Sequence, residues 1–383
     1  MKHLKKSYLL LMLLTAIIGS RTFAKDFSSS YLFDQSQNSD RAKELKQDSV
    51  YTGTGYADGI KSITAHPTTT NNVEPGATNI ILQSKDGGQT WEDISYGLPE
   101  NEQPEDFFAG KSEVYLRVKN EMYRSKNNLK TPVWEKEVVL DPRFTSIAFN
   151  RSGVMAYNYG GEIYQKTPSI GAWLPIFTNI KGHSVRMIFE TSDGAILVGC
   201  DNGLYKSTDK GQSWKYILKG WVMNLVESDG VLIGTSQRGI IRSTDNGERW
   251  EEVISEGGVG IAIERIDGGF AAISYNTSTE SRRMRISWDS GKTWQAIDKG
   301  LQPSLSITSI KQIGNYLICG HPDGIFRSSD MGKTWNMVHP SVDNVINLFR
   351  KTSNIVPLND NRKVFKIYVS GNVLYAVAIN SGC

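Results

Sequence analysis

The side chains equipped for chemistry in this 383-residue chain are few, and they fall in short polar stretches between apolar runs. Arg238, Arg282 and Arg283 are candidates for gripping an anionic group, since a guanidinium presents paired donors to a carboxylate or phosphate. Tyr157, Tyr159 and Tyr275 offer flat faces to a ligand. Asn158, Asp201, Asn202, His321 and Asp323 supply hydrogen-bonding groups in comparable places. A polar surface dotted with aromatics suits a carbohydrate or peptide ligand. Glycoside cleavage would need two carboxyls at a set separation, and no such pair can be placed from the sequence. The histidines are His3, His66, His183, His321 and His339, with no His-x-x-x-His and no paired cysteines, so no metal centre is expected. Asp86-Gly87-Gly88 and Asp245-Asn246-Gly247 lack the full spacing of a Ca²⁺ loop and read as turns. No dinucleotide, Walker or Gly-x-Ser-x-Gly motif occurs, and no cofactor is expected.

The elements that must position these residues are set by an internal repeat. Ser-x-Asp-x-Gly-x-x-Trp occurs five times without a mismatch: Ser84, Asp86, Gly88, Trp91; Ser207, Asp209, Gly211, Trp214; Ser243, Asp245, Gly247, Trp250; Ser287, Asp289, Gly291, Trp294; and Ser328, Asp330, Gly332, Trp335. Two weaker copies end in Trp134 and Trp173. Successive tryptophans are 43, 39, 41, 36, 44 and 41 residues apart. Each repeat reads as a strand, a turn, a second strand, then Gly-apolar-apolar-basic-Ser, the motif, and a fourth strand opened by Trp. Four antiparallel strands per roughly 40 residues is the grammar of a propeller blade. The Asp and Gly suit a tight hairpin, the Ser ties it to its strand, and the Trp is expected to bury against a neighbouring sheet. Arg124, Arg242 and Arg327 each precede a serine of the repeat and read as part of its scaffold. Arg238, Arg282 and Arg283 belong to turns between second and third strands, on the face away from the motif.

The five motifs resemble the Asp boxes, or BNR repeats, of sialidase-like propellers and their relatives, which include sortilin-type receptors, xyloglucan-active glycosidases and photosystem II assembly-factor propellers. The resemblance runs from about residue 60 to 380. It implies an all-β propeller with ligands on the face opposite the Asp boxes. The repeats predict seven blades, with eight as the alternative. The strands Val364–Val369 and Val373–Ile379 are expected to complete the blade begun by Ile80–Ser84 and Trp91–Ile94. Residues 50–54 and 60–65 would supply extra strands for an eighth. A sialidase would also need an Arg-x-Pro motif before the first box. None is present, and Asp141-Pro142-Arg143 has the wrong order and position.

Residues 1–24 read as a signal peptide, with basic Lys2, Lys5 and Lys6, an apolar stretch from Leu9 to Ile18, and a small-x-Ala site ending at Ala24. Residues 25–49 read as a polar arm, and 50–383 as a single propeller domain. Removing Lys2, Lys5, Lys6 and Arg21 leaves 39 basic against 40 acidic residues, which gives no electrostatic case for nucleic acid. No membrane-spanning segment is expected after cleavage. Cys200, Cys319 and Cys383 are too few and too scattered for a disulfide framework. Cys319 and Cys383 could bond only if the C-terminus closes the ring beside that blade.

The expectation is an exported, non-catalytic propeller, periplasmic or secreted, that binds a protein or glycan, with an assembly role open to it. The alternative is a diverged glycoside hydrolase. A sortilin-like peptide receptor is weaker, for want of a membrane span and a cysteine-rich module.

Overall fold

The computed structural model describes residues 81–99, 104–127, 129, 132–137, 143–176, 180, 183–341 and 363–380. The expected signal peptide, the polar arm, the candidate extra strands at 50–54 and 60–65, and Cys383 lie outside these residues.

Seven four-stranded antiparallel sheets make up the structure. From inner to outer strand, blade 1 is Pro104–Ala109, Glu113–Val118, Glu121–Lys126 and Glu135–Lys136. Blade 2 is Ser146–Asn150, Gly153–Tyr157, Ile163–Lys166 and Trp173–Ile176. Blade 3 is Val185–Glu190, Ile196–Cys200, Gly203–Ser207 and Lys215–Lys219. Blade 4 is Val222–Ser228, Val231–Ser236, Gly239–Ser243 and Glu251–Ile254. Blade 5 is Gly257–Ile266, Gly269–Asn276, Ser281–Ser287 and Gln295–Ala296. Blade 6 is Ser309–Ile313, Tyr316–His321, Gly324–Ser328 and Asn336–Pro340. Blade 7 is shared by the two ends of the domain. Lys363–Ser370 and Val373–Asn380 form its inner half, and Ile81–Ser84 pairs with the latter strand, Ile81 opposite Val377 and Ser84 opposite Leu374. Glu92–Asp93 is outermost. Each inner strand touches the inner strand of the next blade, blade 7 included, so the ring closes. This is the expected seven-bladed propeller, closed where the sequence placed the closure.

The core is distributed. The buried apolar residues fall into seven clusters, and each fills one junction between adjacent blades. A middle strand is covered on both faces, so its side chains are buried in either direction. Ile196–Cys200 and Val231–Ser236 are buried at every residue. No blade can therefore cover its own apolar surface without its neighbours. Alternation of strand direction puts the first-to-second and third-to-fourth strand turns on one rim. The second-to-third turns and the connections between blades lie on the opposite rim.

Candidate functional site

The five repeated turns build one rim in the same way each time. The serine hydroxyl donates to the aspartate Oδ1 at 2.8 Å for Ser84, Ser207, Ser287 and Ser328, and at 2.9 Å for Ser243. The same hydroxyl accepts the N–H of the motif glycine, at 2.9 Å for Gly88, Gly247 and Gly291 and 2.8 Å for Gly211 and Gly332. The aspartate then accepts the N–H of the residue before the tryptophan, at 2.8 Å from Ser213 and Thr293. The hydroxyls of Thr90, Ser213, Thr293 and Thr334 donate to its second oxygen, and Arg249 takes that place in blade 4. These bonds favour the charged carboxylate. Bonds from Ser213 hold Asp209 down at about 2, and bonds from Thr334 hold Asp330 at about 2. Burial alone would raise Asp86, but bonds from Thr90, Ser84 and Gln89 bring it down to about 2. The hydroxyl residue before the Trp was missed in the motif, although four of its five copies carry Thr or Ser there.

These turns also clamp one blade to the next. The residue before each motif glycine has a positive φ: Gly87, Lys210, Asn246, Ser290 and Met331. Its carbonyl is the acceptor for the preceding blade at three junctions. Lys206 Nζ donates to Asn246 O at 2.8 Å, Arg242 Nε to Ser290 O at 2.7 Å, and Arg327 Nε to Gly87 O at 2.9 Å. Arg242 and Arg327 thus serve the scaffold, as expected, whereas Arg124 pairs with Glu135 of its own blade. The tryptophans pack against the blade junctions, as expected, but to different depths. Trp91, Trp214, Trp250, Trp294 and Trp335 are half-buried, while Trp134 and Trp173 of the weak copies are buried. The indoles of the strict copies lie along the rim, and three of them donate to their own turn, from Trp91 to Gly88 O, Trp250 to Gly247 O and Trp294 to Gly291 O. Trp335 donates instead to Ile297 O of blade 5 at 2.6 Å, and all five indoles pack against the apolar cluster of their junction.

The candidate ligand residues all map to the opposite rim, in two separate groups and in different states. Tyr157 is buried between blades 2 and 3 and donates to Arg186 O at 3.1 Å. His321 is buried as well. Its Nε2–H donates to Gln302 O at 2.9 Å and its Nδ1 accepts the N–H of Asp323 at 3.2 Å, so both nitrogens of a neutral ring are used. Both residues are committed to packing. Tyr159 is 59% exposed. Arg238 is exposed and pairs with Glu252 at 3.1 Å. Tyr275 is half-buried over Gly258. Arg282 donates to Ile307 O at 2.9 Å, and Arg283 grips both oxygens of Asp298 at 2.5 and 3.1 Å, which raises the guanidinium. Beside them, Arg285 pairs with Glu256, which accepts from Ser274 at 3.2 Å. Blade 5 therefore carries two arginine–carboxylate pairs.

A second group stands at the junction of blades 2 and 3. Arg186 pairs with Asp201, which lowers that carboxyl, and lies 5.9 Å from the centre of the Tyr159 ring. Asn202, Tyr205, Tyr216 and His183 continue outward from it. The sequence reading picked out Tyr159, Asp201 and Asn202 here but missed Arg186, Tyr205 and Tyr216, which are on strands or at strand ends and bear no turn signal. Between the inner strands of blades 5 and 6, Lys311 pairs with Glu264, whose carboxyl is pushed up by burial against the pull of the lysine. Among the described residues no group of three or more His, Cys, Asp or Glu side chains could hold a metal ion. No described helix is long and apolar enough to cross a membrane.

No family model matches the sequence, and no curated protein matches it. Solved structures do. Virginiamycin B lyase from Staphylococcus aureus is 13% identical with a TM-score of 0.51, over 78% of this chain and 99% of that one. An ancestral GH74 enzyme is 15% identical with a TM-score of 0.50, over 79% of this chain and 45% of that one, so the chain spans less than half its length. YCF48 bound to D1 peptide is 19% identical with a TM-score of 0.47, over 64% of this chain and 83% of that one. The first two likenesses are to the fold alone.

Proposed function

We propose that this chain is an exported Asp-box propeller that captures a protein or glycan partner on the rim opposite its repeated turns, without turning it over. The carrying observation is the division of labour between the rims. On one rim the motif side chains and carbonyls are consumed in holding turns and blades together. The other presents Tyr159, Arg238, Tyr275, Arg282 and Arg283 on turns and strand ends, where side chains vary from blade to blade. A rigid disc with such a rim is a natural binding platform. The arginines of this rim are spread over separate partners, which suits an extended contact better than a single anion pocket. Export rests on the leader-like residues 1–24.

A second reading, a diverged glycoside hydrolase, is favoured by one feature. Glu256 and Asp298 both stand on this rim of blade 5, each held by an arginine. The test is a fluorogenic glycoside panel run beside a glycan and peptide array, with the mature chain and three variants. Binding without turnover, weakened by Arg282→Ala and unaffected by Trp288→Ala on the turn rim, is expected. Turnover abolished by Tyr275→Phe would replace the binding reading with the hydrolase. Binding lost in Trp288→Ala alone would put the ligand on the wrong rim.

A further inference from the structure

Comparison of blade with blade separates residues that the scaffold requires from residues it does not. The second residue after the tryptophan is Glu252, Ala296, Met337 and Asp93 in blades 4, 5, 6 and 7, but Tyr216 in blade 3. Tyr216 is 48% exposed and meets Tyr205 edge to face, with centroids 5.4 Å apart at 72°. Asn202 braces both rings: its Nδ2 donates to Tyr205 Oη at 2.9 Å, and its carbonyl accepts from Tyr216 Oη at 3.3 Å. The His183 ring centre lies 5.7 Å from that of Tyr205. Next to Asn202 in the chain, Asp201 pairs with Arg186, whose guanidinium reaches toward the exposed ring of Tyr159. The result is a row of linked contacts across the junction of blades 2 and 3, with an aromatic ring exposed at each end and polar groups between.

We propose that this row binds a neutral oligosaccharide, with sugar rings stacked on Tyr216 and Tyr159 and hydroxyls bonded to Asn202, Asp201 and Arg186. Three observations select that class. The apolar C–H face of a pyranose suits a braced and exposed tyrosine ring, which costs little side-chain entropy to order. The groups between the rings include both donors and acceptors, and a sugar hydroxyl needs both. Arg186 and Asp201 cancel in charge, and the tyrosines and Asn202 add none, so these residues exert no net pull on an anionic or cationic chain. The assignment rests on the reading of this rim as the binding side.

The test is titration calorimetry of the mature chain with neutral β-1,4-linked hexasaccharides of glucose, xylose and mannose. Hexagalacturonate serves as the anionic comparator and a tryptic peptide mixture as the peptide comparator. At least one neutral hexasaccharide should bind, and Tyr216→Ala and Tyr159→Ala should each weaken it at least tenfold. Tyr216→Trp, which keeps a stacking face, should hold within about threefold of wild type, while Trp288→Ala on the turn rim should change nothing. Circular dichroism and the midpoint of thermal unfolding establish that each variant is folded. Absence of binding by all three neutral chains up to millimolar concentration would overturn the assignment, as would binding indifferent to both tyrosines. Binding of hexagalacturonate or peptide that is lost with Arg238→Ala and retained in Tyr216→Ala would sink the sugar row and leave the rim as the binding side. Binding of any probe lost only in Trp288→Ala would sink both.

Discussion

The clamp between blades 4 and 5 can be tested with a single side chain. Arg242 is 8% exposed, donates through Nε to Ser290 O at 2.7 Å, and reaches Glu251 at 2.6 Å, whose own side chain is 63% exposed. Truncation to alanine removes a charge-assisted hydrogen bond across the junction, about 1.5–3 kcal/mol. Loss of the buried methylene stem adds about 1 kcal/mol. The exposed pair with Glu251 contributes about 0.5 kcal/mol or less. Arg242→Ala should therefore lower stability by about 3 kcal/mol. Arg242→Lys should cost no more than about half of that, because Lys206 makes the same reach to Asn246 O one blade earlier, at 2.8 Å. Glu251→Gln should stay within about 0.5 kcal/mol of wild type. Urea unfolding followed by tryptophan fluorescence, read as a midpoint shift at constant slope, measures all three. The reasoning is refuted if Arg242→Ala lies within about 0.5 kcal/mol of wild type, or if Glu251→Gln costs as much as Arg242→Ala.

Three further outcomes follow from the same structure. A Cβ on Gly291 would come 2.5 Å from Ile233 of blade 4 at φ +79°, whereas Gly300 has φ +92° and nothing within 4 Å. Denaturation should thus find Gly291→Ala costing about 2–4 kcal/mol and Gly300→Ala about 1 kcal/mol, since only the first adds overpacking to backbone strain. The turn aspartates Asp86, Asp209 and Asp330 lie at about 2 in the folded chain against an ordinary 3.8. Unfolded chains therefore take up protons first, so these groups stabilise the fold above about pH 4 and lose that contribution as pH falls toward 2; a pH series of unfolding midpoints should decline there, and less steeply in Asp209→Asn. Burial raises Cys200 to about 12 and drives Cys319 upward as well. Iodoacetamide at pH 8 should leave both thiols unmodified in the native protein, as mass spectrometry of the digested chain would report, and label them after unfolding.

What was legible in the chain was whatever is settled within a few residues or by periodicity. The Ser-x-Asp-x-Gly turn draws its hydrogen bonds from donors and acceptors no more than four residues apart, so the motif that repeats in sequence repeats in geometry. Periodicity then favoured seven blades over eight, and the two strands left over after the last motif complete the blade begun at the N-terminal end of the repeats. The same local logic marked Arg242 and Arg327 as scaffold residues, because their place in the repeat recurs.

Tertiary structure decided the state of each side chain on the ligand rim. Tyr157 and Tyr159 are two residues apart in one strand and turn, yet one is shut between blades and the other stands in solvent. His321 occupies a turn end that reads as exposed, but a carbonyl 19 residues away and its own turn amide take up both ring nitrogens. Local sequence likewise determined that Ser290 would adopt a strained turn conformation, but only the neighbouring blade, 48 residues back, makes its carbonyl the seat of a clamp. The physical reason is the same in each case. Turn hydrogen bonds are saturated by near neighbours along the chain, whereas burial and partnership at a blade junction depend on which surfaces the closed ring presses together.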